Sequence, residues 1–160
     1  MKIHYRRLVA FAVIPGLVVL TLALSAGSAS VSASDRHRPL QRLHVTKECS
    51  EYTGAAGSFC TITFSNLPEI KIRTKVIYDQ AAGIPAGLLD SNVVLDAGRG
   101  NRAVGRCTLD FERAVGLCTF SDGTGKLAGF HARVDVSYLG GMNWAWDGTY
   151  RFVRDPDSDR

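Results

Sequence analysis

Short runs in which apolar and polar residues alternate recur along most of this 160-residue chain. Gly, Asn, Asp or Pro residues separate these runs, and no long segment has the periodicity of an amphipathic helix. Eight runs are predicted to be β-strands: residues 43–49, 59–66, 70–78, 92–96, 103–111, 115–120, 127–138 and 143–153. Many short strands at regular spacing are typical of a sandwich or a barrel, so the chain is predicted to be all-β.

Alternation also predicts which face of each strand is buried. In residues 70–78, Ile72, Val76 and Tyr78 share a face with other uncharged residues, and three basic residues share the opposite face. In residues 127–138, the predicted buried face carries Phe130, Val134, Val136 and Tyr138 among others, and in residues 59–66 it carries Cys60, Ile62 and Phe64. One apolar face per strand predicts a sheet with one side in solvent. Residues 80–90, which contain two Gly and one Pro, are predicted to be a loop.

The first 33 residues have the order of a secretory signal peptide. Basic residues come first, an almost wholly apolar run follows at residues 8–24, and small residues precede a predicted cleavage after Ala33. The alternative is an uncleaved membrane anchor, but this apolar run is at the short limit for a span and is interrupted by Pro15 and Gly16. The chain is therefore predicted to be secreted, to the extracellular or cell-envelope space.

The remaining residues are too few for two cores and are predicted to form one domain. Residues 34–42 are polar and predict a flexible lead-in, residues 43–153 carry the strands, and residues 154–160 form a charged tail. The signal holds three of the nineteen Lys and Arg residues and none of the acids, which leaves sixteen basic residues against fifteen acidic ones. This near balance gives no support to a nucleic-acid or membrane-surface partner after signal cleavage. The oligomeric state is left open.

The four cysteines fall into two pairs with equal spacing. Cys49 and Cys60 are eleven residues apart, and so are Cys107 and Cys118. An even number of cysteines in an exported chain predicts two disulfides, for which three pairings are possible. Each pair brackets a plausible hairpin, which favours Cys49–Cys60 and Cys107–Cys118. A zinc site is the rival interpretation, but the spacing lacks the close Cys pairs or regular histidines that zinc sites use, so no metal is predicted.

One stretch resembles a known family. Residues 118–136, CTFSDGTGKLAGFHARVDV, contain Gly123, Thr124, Gly125, Lys126 and Gly129 in the order G-T-G-K-x-x-G. This resembles the G-T-G-K/R-F-x-G stretch of the allene oxide cyclase-like and dirigent-like proteins, and residues 147–150 (DGTY) look like the closing element of bacterial secreted members. The two stretches together cover less than a fifth of the chain after the signal.

The resemblance implies a single antiparallel β-barrel of about eight strands with an apolar central cavity. Its plant enzymes cyclise an unsaturated fatty-acid epoxide, and its dirigent members steer the coupling of phenolic radicals. No catalytic residue is carried over, because no acidic, Tyr or Arg position outside the glycine stretch matches a family motif. Whether the chain is an enzyme is left open, and no cofactor is predicted.

Aromatic residues are the candidate ligand-binding side chains. Tyr and Trp in an apolar barrel can present a polar group to a ligand, which favours a set predicted to face inward: Tyr78, Trp144, Tyr150, Phe130 and Phe64. Tyr138, Trp146 and Phe152 are also predicted to face inward. The competing interpretation is that these rings simply fill a small barrel. His131, Arg133 and Asp135 share a polar face and predict a solvated row of charges, and Asp147 is predicted to point outward as well.

Two functions follow from this pattern. The first is a secreted barrel that binds a small apolar or phenolic molecule in its central cavity, with a possible cyclase-like or dirigent-like activity. The alternative is a secreted protein–protein binding module with a solid core and no catalysis. The first predicts an internal cavity of the usual ligand-site size, several hundred Å³. The second predicts a filled interior and an exposed apolar patch on the outside.

Overall fold

The computed structural model describes residues 39–83 and 86–153 of the chain. It contains eight strands: β1 (Gln41–Glu48), β2 (Phe59–Ser65), β3 (Lys75–Tyr78), β4 (Leu88–Asp96), β5 (Arg102–Asp110), β6 (Val115–Thr124), β7 (Phe130–Gly140) and β8 (Asn143–Phe152). A single 3₁₀ turn, Gly125–Leu127, precedes β7. The predicted signal peptide, most of the predicted lead-in and the predicted tail lie outside the described residues.

The eight strands form a closed antiparallel barrel in chain order, as the sequence predicts. The barrel closes where β1 pairs with β8, from Gln41 opposite Tyr150 to Glu48 opposite Asn143. Because every described strand has a partner on both sides, none of them presents a free edge to another chain.

The connections define two ends of the barrel. We call end A the end that carries the β1–β2, β3–β4, β5–β6 and β7–β8 connections. End B carries the β2–β3, β4–β5 and β6–β7 connections and the points where the chain enters β1 and leaves β8. Since β1 runs from end B to end A, Glu48 lies at end A and Gln41 at end B.

Apolar side chains fill the barrel between these ends. Trp146, Phe130, Leu95 and Val134 are among the fully buried side chains. The ring of Phe120 lies 5.5 Å from that of Trp146 and 5.9 Å from that of Phe130, centroid to centroid. Contacting rings across the middle leave little free volume, as is usual for a barrel of this strand number.

Both predicted disulfides are present. Cys49 is bonded to Cys60 and Cys107 to Cys118, so the two bonds take up all four cysteines. Cys107 and Cys118 are directly opposite each other on β5 and β6, while Cys49 follows β1 and is tied to β2. All four side chains are buried, which agrees with the apolar faces predicted for them.

The structure corrects the prediction for residues 70–78. Only Lys75–Tyr78 forms a strand, and the preceding residues make a turn in which Arg73 has a φ of 75°. A turn does not keep the alternation of a strand, and Ile72, predicted to face inward, is 66% exposed. The predicted loop at 80–90 is also shorter, because β4 already begins at Leu88.

Two aromatic residues predicted to face inward lie outside instead. Phe64 is 48% exposed because the pairing of β1 with β2 shifts between Thr46 and Lys47, which reverses the faces of β2 beyond Ile62. Tyr138 is 47% exposed because it lies near the end of β7, where an irregularity in the pairing with β8 follows it.

Candidate functional site

A lysine lies inside the barrel near end A. Along β1, Leu43, Val45 and Lys47 alternate with residues that face outward, and Lys47 is only 1% exposed. Its aliphatic stem packs in the core, as long basic side chains often do, but here the amine is buried too. Lys47 is therefore the most unusual residue of the core, since lysine is rarely fully buried without a charged partner.

The Lys47 amine has a phenolic partner instead of a carboxylate. Its Nζ donates a hydrogen bond of 2.6 Å to the hydroxyl oxygen of Tyr78. The same nitrogen lies 4.5 Å from the ring centroid of Trp146 and 5.4 Å from that of Tyr78. None of the ion pairs among the described residues includes Lys47. When Lys47 is protonated, its charge is therefore stabilised by the faces of the Trp146 and Tyr78 rings and by the Tyr78 hydroxyl, and not by a carboxylate among the described residues.

Burial lowers the pKa of Lys47 to about 7, because removal from water disfavours the ammonium form. A large share of the side chain is therefore a neutral amine at neutral pH. A neutral amine accepts protons and attacks electron-poor carbon, neither of which an ammonium does. The arrangement gives this end of the barrel a chemically reactive group.

Two tyrosines complete the polar part of the site. Tyr78 is buried, and burial raises its pKa, with a smaller contribution from the neighbouring Tyr52. Tyr52 comes from the β1–β2 connection, and its ring meets that of Tyr78 edge to face at 5.0 Å. Burial also raises the pKa of Tyr52. Its hydroxyl has no hydrogen-bond partner among the described residues, and Tyr52 lines the same cavity as Lys47.

A small cavity lies against these groups. Its volume is about 20 Å³, and its lining combines Lys47 with aromatic, aliphatic and disulfide side chains: Cys49, Tyr52, Cys60, Tyr78, Leu89, Leu109, Phe111 and Trp144. A space of this size holds about one water molecule. It is far smaller than the central cavity that the ligand-binding hypothesis predicts, so a larger ligand requires side chains at end A to move.

The five predicted ligand-binding residues do not converge on one place. Tyr78 and Trp144 line the cavity at end A. Phe130 and Tyr150 pack together near end B, and the hydroxyl of Tyr150 bonds to Oε1 of Gln41 at 2.7 Å. Phe64 is on the outer surface, 5.6 Å from the His44 ring.

Sequence reasoning missed Lys47, although a signal for it was present. The run L-H-V-T-K-E-C places Leu43, Val45, Lys47 and Cys49 at every second position. The same alternation that predicts a buried Cys49 therefore predicts a lysine on the buried face. Trp146, which is predicted to face inward, is fully buried. Its indole N–H has no hydrogen-bond partner in the described part of the chain.

His131, Arg133, Asp135 and Asp147 lie on the outer face of β7 and β8, as predicted. The outer surface also carries pockets of larger volume than the cavity beside Lys47. One of about 510 Å³ crosses β4, β5 and β6 at end A and is lined by Leu88, Val115 and Leu117 among others. No cluster of metal-ligating side chains occurs within residues 39–83 and 86–153.

The described residues contain no helix long and apolar enough to cross a membrane. No protein-family model matches the chain, and a search of curated proteins finds no significantly similar sequence.

Proposed function

We propose that this protein is a secreted barrel that captures a small, largely apolar molecule carrying a phenolic hydroxyl, at end A rather than in the centre of the barrel. The observation that carries the proposal is the buried Lys47 amine. Among the described residues it has no carboxylate partner, and it lines the same cavity as Tyr52, whose hydroxyl is unpaired there. Buried polar groups with unmet hydrogen bonds are costly, and Lys47 has the Tyr78 hydroxyl as its one hydrogen-bond partner in the described part of the chain, so a ligand that bonds to Lys47 and Tyr52 is favoured.

A phenol matches both groups. Its O–H donates to the neutral amine of Lys47, and its oxygen accepts from the hydroxyl of Tyr52. The aromatic ring then packs against Phe111 and Trp144, which belong to the same lining. A carboxylate fits less well, because it requires Lys47 to be charged in a site where burial favours the neutral form.

Entry of such a molecule requires end A to open. Tyr52 belongs to the β1–β2 connection and Phe111 to the β5–β6 connection, and both are only partly buried. Side chains on connections move more easily than those on paired strands. Displacement of these two rings enlarges the cavity without breaking the barrel.

The resemblance to the allene oxide cyclase-like and dirigent-like proteins agrees with this proposal at two points. The barrel has the strand number that the resemblance implies. A phenolic ligand is also the class that the dirigent members handle. A dirigent-like or cyclase-like activity is therefore the reaction to assay first. Secretion is supported by the signal-like sequence and by two disulfides, which persist in oxidising compartments.

A second candidate function is a secreted protein-binding module. The specific observation in its favour is that the interior is filled while an apolar hollow of about 510 Å³ lies on the outside, at Leu88, Val115 and Leu117. A binding module needs no cavity, and a surface patch of this kind is the usual mark of a protein contact.

The test exposes the purified protein to an extract of lipids and phenolics and identifies retained compounds by mass spectrometry. The small-molecule proposal predicts a phenolic compound that the wild type retains and Lys47→Met releases. Tyr150→Phe at end B is the matched control and should retain it. No retained compound, or equal retention by both variants, would reject the proposed site.

A further inference from the structure

The Lys47 amine differs from the other lysines that the structure describes. Lys71, Lys75 and Lys126 are exposed to solvent, whereas Lys47 is buried beside a cavity. Lys47 is thus the one described lysine whose surroundings favour a free, nucleophilic amine.

The cavity provides space at the nitrogen and few competing groups. Apart from Lys47, the titratable side chains in its lining are Tyr52 and Tyr78, because Cys49 and Cys60 are bonded to each other. The Tyr78 hydroxyl fixes the position of Nζ at 2.6 Å. Tyr52 lines the same cavity, and its hydroxyl has no hydrogen-bond partner in residues 39–83 and 86–153.

We propose that Lys47 is a covalent capture site for small aldehydes, which its amine binds as an imine. The nitrogen lone pair attacks the carbonyl carbon, and the carbonyl oxygen takes up a proton to give a carbinolamine. The nitrogen then loses its remaining proton, the hydroxyl leaves as water, and a C=N bond forms. The reaction releases one water molecule and needs neither an oxidant nor a reductant.

The cavity limits the class of aldehyde. A volume of about 20 Å³ holds about one water molecule, so even a small aldehyde requires the side chains of Tyr52 and Phe111 to move before its carbonyl reaches Nζ. The smallest aldehydes need the least movement and are therefore expected to react first, and bulky aromatic aldehydes to react slowly. This inference goes beyond the proposed function, because imine formation with a short aldehyde does not require the capture of a phenol.

The experiment treats the folded wild-type protein with acetaldehyde and cyanoborohydride, which reduces the imine to a stable secondary amine. Peptide mapping then measures the label at each lysine and, separately, at the N-terminal amine. At about pH 7, Lys47 should carry at least about tenfold more label than each of Lys71, Lys75 and Lys126. Its labelling should level off above about pH 7, the value to which burial lowers its pKa.

Two controls separate the site from general lysine reactivity. In denaturant, the preference for Lys47 should disappear, because the amine is then solvated like the others. Lys126→Arg removes an exposed lysine and should leave the label at Lys47 unchanged. An unlabelled Lys47 in protein that is folded by circular dichroism, with label on the exposed lysines, would overturn the inference. Failure to retain phenols in the extract test would leave this result unaffected.

Discussion

At the scale of single residues, Lys47 makes the stability of the barrel depend on pH. Its pKa is lowered from 10.5 to about 7 by burial, so between these values the unfolded chain binds a proton that the folded protein does not. The free energy of unfolding therefore rises as pH increases through this window. Tyr78 and Tyr52 act in the opposite direction above about pH 10, because burial raises their pKa and keeps them neutral in the folded state.

The first prediction is that the wild type gains about 2 kcal/mol of unfolding free energy between pH 7 and pH 9. Lys47→Met, which removes the titrating amine, should lose most of this gain, whatever its absolute stability. Urea unfolding at the two pH values measures both slopes. A wild-type slope no steeper than that of Lys47→Met would show that the amine is not buried in the folded protein.

The second prediction compares two tyrosines at opposite ends of the barrel. Tyr78→Phe removes the hydrogen-bond partner of the buried Lys47 amine and should cost about 2 kcal/mol at pH 7. Tyr150→Phe removes a bond to Gln41 that the amide can replace with water, and should cost about 1 kcal/mol or less. Both changes keep the ring, so packing is matched. Equal costs in urea unfolding would mean that the Tyr78 hydroxyl does not support the amine.

At the scale of strands and turns, Gly129 fixes the start of β7 against the end of β8. Its φ is +70°, its carbonyl accepts a 2.8 Å hydrogen bond from the Val153 N–H, and a Cβ at this position would overlap the Val153 carbonyl oxygen. Gly98 has a similar φ of +75° but open space around the position of a Cβ. An alanine at either position therefore has the same conformational cost of a positive φ. At Gly129 it also has a steric cost, because its Cβ would overlap the backbone of Val153.

The third prediction follows from that comparison. Gly98→Ala should cost about 1 kcal/mol, the usual penalty for an L-residue at positive φ. Gly129→Ala should cost about 2 kcal/mol more, because the strand end must also shift. Thermal or urea unfolding of both variants measures the difference. Similar losses in the two proteins would show that the β7–β8 end relaxes at no cost.

The same elements show which buried faces the alternation of apolar and polar residues predicts correctly. It predicted eight strands, and it gave the correct buried face where a strand runs straight, as for Phe130 to Val136 in β7. It failed at Phe64, where a shift in pairing reverses the face, and at Ile72, where a turn replaces the strand. Such irregularities depend on pairing between strands distant in sequence, which no single run encodes. The alternation of β1 also carried a signal for a buried Lys47, but the sequence analysis did not identify it as a site residue.

At the scale of the whole molecule, the strands of the closed barrel differ in the length over which they pair. The pairing of β4 with β5 spans Leu88–Asp96 and Arg102–Asp110, and that of β7 with β8 is similarly long. The register of β2 with β3 spans Phe59–Thr61 and Lys75–Ile77, and backbone hydrogen bonds continue it to Tyr78 at one end and to Ile62 at the other. β3 is the shortest strand of the barrel, with four residues, so we expect local opening to begin there. Because β3 carries Tyr78, we expect such opening to remove the hydrogen-bond partner of Lys47.

The fourth prediction is that hydrogen exchange reports this difference. Amides of β3, which has four residues, should exchange by local opening at a free energy below that of global unfolding. Amides in the centres of β5 and β8 should exchange only with global unfolding. Mass spectrometry of peptic fragments after deuterium labelling resolves the two classes, since the disulfides can be reduced at the quench step.

If a phenol binds beside Lys47, it should slow exchange in β3 and leave β5 unchanged, because it favours the closed state of end A. Equal protection of β3 and β5 without a ligand would mean that the barrel opens only as a unit. Entry to Lys47 would then have to come through the Tyr52 and Phe111 side chains alone.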